Sequence, residues 1–262
     1  MAIAWLSVAA YLAAATLLVV DLRRAERAPA TWLSVAAAAV LLHAGVHVLA
    51  WRTSGVADMH FFAALSLVGL GMAALTACFG ASGRMAALGV VAYPIAALVL
   101  AAYAAYGRHL AEPMDWRLQL HAWCALLAYA TLAIAALLAL MLWLQERALR
   151  RHQFHGWLRA LPPLTELESL LFRTIAVGFV LLTATLLTGL LFVENLLAQH
   201  LLQKTVLSVL SWLVFGGLLL GRWRRGWRGT TAVRWTLTAM ALLVLAFFGS
   251  KLALELGLGA SG

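Results

Sequence analysis

Leu118–Leu144 reads LQLHAWCALLAYATLAIAALLALMLWL, 27 residues without one Asp, Glu, Lys or Arg. A hydrocarbon layer about 30 Å thick is crossed by about 20 apolar residues at roughly 1.5 Å each, so this stretch is long enough to span it as a helix. A strand is excluded, because the run lacks period-two alternation and a lipid-exposed backbone must pair its own hydrogen-bonding groups. Runs of the same kind recur on either side of it. The spans are Ala2–Val20, Trp32–Trp51, Phe61–Phe79, Met85–Tyr106, Leu118–Leu144, Leu170–Phe192, Thr205–Gly221 and Trp235–Leu256. The expected fold is therefore all-α, a polytopic bundle of eight transmembrane helices forming one integral membrane domain over residues 1–262. Composition agrees: hydrophobic residues make up 65% and charged residues 11% of the chain, whereas a soluble domain is about half apolar and about a quarter charged.

The first run reads as a helix and not as a cleavable signal, since it lacks a basic leader and is followed by Asp21, Arg23 and Arg24. The basic residues set the sidedness. Loops after spans one, three, five and seven carry Arg23, Arg24 and Arg27; Arg84; Arg147, Arg150, Arg151 and Arg159; and Arg222, Arg224, Arg225, Arg228 and Arg234. The other side has Arg52, Arg108, Arg117, Lys204 and Lys251. The positive-inside rule then places both termini outside, N-out and C-out. A net charge of +9 is accordingly a topology signal beside anionic membrane lipid, with no nucleic acid implied. Cys78 and Cys124 fall near opposite membrane surfaces, which excludes their pairing within one chain.

Between spans five and six, Thr165 and Glu168 have capping-box spacing after Pro162-Pro163, so helix six is expected to begin below the membrane. Arg173 then lies inside an apolar run, either snorkelling to the inner surface or paired with another helix. The stretch 190–203 places Asn195, Gln199 and Gln203 at four-residue steps, the pattern of an interfacial helix on the outer surface.

Histidine is the residue best suited to carry chemistry here. His43 and His47 share one face of helix two, His43 about 12 Å below Trp51. Either imidazole serves a transition metal or a haem iron, or else bridges helices by a hydrogen bond. His60, His109, His121 and His200 fall near the outer surface, and His152 and His155 in a cytoplasmic loop. His121 stands apart from the loop histidines because it opens an apolar helix at the interface.

Over 118–256 the chain resembles the cytochrome c assembly family, the haem-handling membrane proteins of the CcsA, CcmC and HemX type, and within it the small eight-helix YpjD-like inner membrane branch. The residues that carry the likeness are His121, Leu127-Ala128-Tyr129-Ala130, Leu161-Pro162-Pro163-Leu164 and Leu167-Glu168-Ser169. Phe172-Arg173, Gly178-Phe179, Leu182-Thr183, Gly189, Lys204-Thr205, Ser211-Trp212 and Gly226-Trp227-Arg228-Gly229 continue it in order. The resemblance implies haem b held non-covalently near the outer face, with His121 and His43 as cofactor-binding residues and His47, Lys204 and Arg173 as secondary candidates. Lys204 would meet a haem propionate, or simply snorkel at the interface. Metal other than haem iron is not implied.

The sequence departs from the family where members that attach or deliver haem carry a tryptophan-rich outer segment, for Asn195–Gln203 holds no tryptophan. Gly221 stands where those members have a second intramembrane histidine, and no histidine occurs around Gly249-Ser250-Lys251. The expected role is thus non-enzymatic: haem handling or an accessory part in cytochrome c assembly, in a bacterial inner membrane, with other cytochrome c biogenesis or haem-pathway proteins as partners. The alternatives are a haem-independent scaffold or regulator resembling HemX, and a small-solute transporter. The transporter would call for acidic residues at the midplane of a span, and none is present.

Overall fold

The computed structural model describes residues 1–24, 31–80, 86–107, 115–151, 163–192 and 199–255. They form eight α-helices and no strand. These are α1 (Ala2–Arg24), α2 (Thr31–Ser54), α3 (Phe61–Gly80), α4 (Gly89–Tyr106), α5 (Trp116–Arg150), α6 (Leu164–Phe192), α7 (Gln199–Arg225) and α8 (Gly229–Glu255). A single 3-10 turn, Ala86–Leu88, leads into α4. All eight contain a stretch long and apolar enough to cross a membrane, so the chain is a multi-pass membrane protein.

Several boundaries differ from the reading by hydropathy. α5 runs on to Arg150 and α7 to Arg225, because arginines at a helix end keep the backbone bonded while their heads reach the polar layer. The capping box does not form. α6 already includes Thr165, the Glu166 amide donates to the Pro163 carbonyl at 2.9 Å, and the Glu168 carboxylate accepts from Arg222 instead. Residues 193–198 of the expected interfacial helix lie outside the described residues, and from Gln199 onward the backbone is continuous with α7. α4 runs through Pro94.

The packing divides into two compact units, Met1–Asp115 with Arg147–Glu166 and Trp116–Glu146 with Leu167–Gly262. In the first, α1 packs on α2 and α4, and α3 packs on α4 and α2. Small residues make this close approach feasible. Ala14, Ala36, Ala39, Ala73, Ala96 and Ala97 line the core around Tyr11, Leu18, Tyr93 and Leu100, and Ser7 Oγ donates to the Ala39 carbonyl at 2.8 Å. Between lipid-solvated helices apolar burial gives little drive, so such shape matching and buried hydrogen bonds supply the cohesion.

The second unit is pinned by polar side chains at successive heights. The Tyr129 hydroxyl donates to the Leu243 carbonyl at 2.9 Å, tying α5 to α8. Ser211 Oγ donates to the Ala239 carbonyl at 2.8 Å, tying α7 to α8, and Trp212 Nε1 donates to Thr183 Oγ1 at 2.8 Å, tying α7 to α6. Gly178 admits Leu132, and Gly216 faces the Phe179 ring, which stacks on Trp212. At the arginine-rich end, Arg222 donates to Glu168 at 3.1 Å and to the Trp227 carbonyl at 3.3 Å, and lies over the Phe172 ring. Gly226 and Gly229 have φ of 64° and 54°, left-handed conformations that let α7 turn into α8 within three residues.

Candidate functional site

His121 lies in the second turn of α5, half-buried against α6. Its Nδ1 is 3.0 Å from the Thr185 carbonyl and 3.2 Å from Thr188 Oγ1. A carbonyl only accepts, so Nδ1 carries the hydrogen and Nε2 keeps its lone pair. Thr188 is compatible with this, since its own hydroxyl donates to the Ala184 and Thr185 carbonyls at 2.8 and 3.0 Å. No described residue hydrogen-bonds to Nε2. Gly189 leaves room beside the ring, where a Cβ would come within 3.1 Å of Cε1. A histidine anchored through one nitrogen and open at the other has the arrangement of a metal-ligating imidazole.

One turn before it on the same side of α5, Arg117 is exposed, its guanidinium 5.7 Å from the centre of the Trp116 ring and 5.9 Å from that of Phe192. Lys204 is exposed in the first turns of α7. Helix direction alternates α5, α6, α7, so the starts of α5 and α7 and the end of α6 belong to one end of this unit.

His43 and His47 belong to the other unit and are arranged differently. His43 is fully buried, with both ring nitrogens engaged: Nδ1 lies 3.2 Å from the Tyr11 hydroxyl and Nε2 lies 2.8 Å from Ser66 Oγ. His47 Nε2 lies 3.0 Å from the same Ser66 oxygen, and its ring stacks on Tyr103 at 4.9 Å. Tyr103 donates to Asp58 at 3.4 Å, and Asp58 accepts from the backbone and ring of His60 at 3.0 Å each. His60, which the sequence places near the outer surface, is thus bound to Asp58 within the first unit.

Arg173 is exposed, with no ion-pair partner among the described residues. His109, His152 and His155 lie outside the described residues. Among the described residues no three His, Cys, Asp or Glu side chains gather as a metal site. Reasoning from sequence missed Tyr11, Ser66, Asp58, Tyr103, Thr185, Thr188 and Arg117. Tyr11 and Ser66 gave one usable signal, as isolated polar residues in apolar runs.

The departure at Gly221 has a structural counterpart. The Trp227 ring fills the space a Cβ would take there and packs on Trp235 at 4.9 Å between centres. At this height the space beside α7 is closed by an indole.

A family model described as cytochrome C assembly protein matches residues 30–257. The inner membrane protein YpjD of Escherichia coli strain K12 is 38% identical over 136 residues, 52% of this chain and 51% of that protein. Protein HemX of Brevibacillus brevis is 26% identical over 131 residues, 49% of this chain and 48% of its own. The cytochrome c biogenesis protein CcsA of Prochlorococcus marinus strain MIT 9303 is 30% identical over 96 residues, 36% of this chain and 29% of that protein. With YpjD and HemX, the chain spans about half the length of the curated relatives it matches. No solved structure matches.

Proposed function

Because the chain belongs to the cytochrome c assembly protein family, we propose that it handles haem b non-covalently in a bacterial inner membrane, with His121 as the residue that would hold the iron, and without forming the covalent bond to a cytochrome. The observation that carries this reading is the open Nε2 of an imidazole whose Nδ1–H is committed to the Thr185 carbonyl. When bound, haem would supply an iron that accepts a neutral imidazole nitrogen. Thr185 and Thr188 fix the ring, Gly189 leaves it space, and Arg117 and Lys204 are the exposed cations suited to propionates. His43 and His47 stay out of the iron's coordination in this reading, because each would have to give up a hydrogen bond to Ser66, and His43 is fully buried. The inner membrane placement and the assembly partners rest on the names of YpjD and CcsA.

The test is the visible spectrum of protein purified in mild detergent from a haem-replete host. A Soret band is expected in the wild type, and its loss or shift in His121→Ala. If wild-type protein shows no such band even after haem is added, the haem reading fails. A haem-independent scaffold resembling HemX would then stand, a role that the tryptophan-free segment 195–203 and the indole at Gly221 also suit.

A further inference from the structure

In the first unit a line of polar side chains crosses an otherwise apolar core. Its buried polar residues among those described are Ser7, His43, Ser66 and Thr76, together with the phenols Tyr11 and Tyr93. Ser7 and Thr76 bond backbone carbonyls within their helices' packing. Tyr11, His43 and Ser66 connect through consecutive hydrogen bonds to His47 on the bundle's half-buried flank, and Tyr93 stacks on Tyr11.

The bonding capacities allow one continuous direction at a time. Ser66 has one hydrogen and sits between two imidazole nitrogens, so it donates to one and accepts from the other. In one arrangement Tyr11 O–H donates to His43 Nδ1, His43 Nε2–H donates to Ser66 Oγ, and Ser66 O–H donates to His47 Nε2. In the reverse arrangement His47 Nε2–H donates to Ser66 Oγ, Ser66 O–H donates to His43 Nε2, and His43 Nδ1–H donates to the Tyr11 oxygen. A serine held only to brace two helices needs one partner. Here it has two, from side chains one turn apart on α2.

We propose that Tyr11, His43, Ser66 and His47 form a one-ended proton relay, by which fully buried His43 exchanges protons with water without opening the bundle. The step balances as follows. A hydronium ion gives a proton to His47 Nδ1 and leaves as water; the Nε2 proton of His47 passes to Ser66 Oγ; and the hydroxyl proton of Ser66 passes to His43 Nε2. His43 then holds the added proton, His47 and Ser66 are neutral again, and Tyr11 accepts the bond from His43 Nδ1–H. The return of that proton runs through the same atoms in reverse. Outside the relay, the titratable groups nearest to it are Tyr93, stacked on Tyr11 at 6.1 Å, and Tyr103 of α4, stacked on His47, with Asp58 and His60 beyond Tyr103. Among the described residues of α3, the side chain hydrogen-bonded to both histidines is Ser66.

The relay lies within the first unit and does not use His121, and its test does not require haem. Protein labelled with nitrogen-15 in histidine is reconstituted in nanodiscs, and exchange of the ring N–H signals into deuterium oxide is followed by NMR, with His43 assigned by His43→Gln. In the wild type His43 is expected to exchange in step with His47. In Ser66→Ala its exchange should slow at least about tenfold, while His47 is unaffected and Ser66→Thr, which keeps the hydroxyl, stays fast. A His43 signal that persists in wild-type protein after His47 has exchanged would overturn the relay, as would an unchanged rate in folded Ser66→Ala. Should Ser66→Ala fail to fold, the wild-type comparison decides alone.

Discussion

At the scale of single residues, the difference between His121 and His43 is one of hydrogen-bond arithmetic. Each imidazole has two nitrogens. His43 spends both on Tyr11 and Ser66, whereas His121 spends one on Thr185 and Thr188. The orientation of His121 in turn depends on Gly189, whose missing side chain leaves the Cε1 edge free. Gly189→Val is therefore expected to tilt the ring and shift or abolish the Soret band, while the protein elutes as a folded species in detergent. Retention of the wild-type spectrum by Gly189→Val would show that the ring's position against α6 is immaterial to haem.

At the scale of elements, the residues that carry the family likeness prove to be the ones that lock helices together. Gly178 receives Leu132, Thr183 accepts from Trp212, Ser211 reaches the Ala239 carbonyl, and Glu168 holds Arg222. Gly178→Val would force α5 and α6 apart, and overpacking of this kind costs about 1–3 kcal/mol. A lower thermal midpoint in detergent is expected, with the Soret band weakened only as far as folded protein is lost. The helices themselves were legible from hydropathy, since lipid demands about 20 apolar residues per crossing. Their ends were less so. Arg147, Arg150, Arg224 and Arg225 are polar by composition yet helical, and Glu168 has capping spacing but pairs with an arginine 54 residues away. The site was half legible for a similar reason. His121 announced itself at the head of an apolar helix, but its partners Thr185 and Thr188 come from 64 and 67 residues further along, a pairing that only the packing of α5 on α6 reveals.

At the scale of the whole molecule, sidedness follows from charge and is open to direct measurement. Arg224 is exposed at the end of α7, on the side that the arginine pattern puts in the cytoplasm. With Cys78 and Cys124 replaced by alanine, Arg224→Cys is expected to resist a membrane-impermeant thiol reagent in intact spheroplasts and to react after permeabilisation. A cysteine placed at Lys204, exposed near the opposite end of the same helix, should react in both. Equal labelling of the two in intact spheroplasts would reverse or dissolve the inferred topology.

The indole of Trp227 seated at Gly221 constrains what descendants of this chain can become. An imidazole placed at 221 by one substitution would be set against a ring already there, and removing the ring first would leave a void between α7 and the packing partner Trp235. Each change is harmful without the other, so the two positions are epistatic. A side chain of any size at that depth of α7 therefore needs both positions to change together.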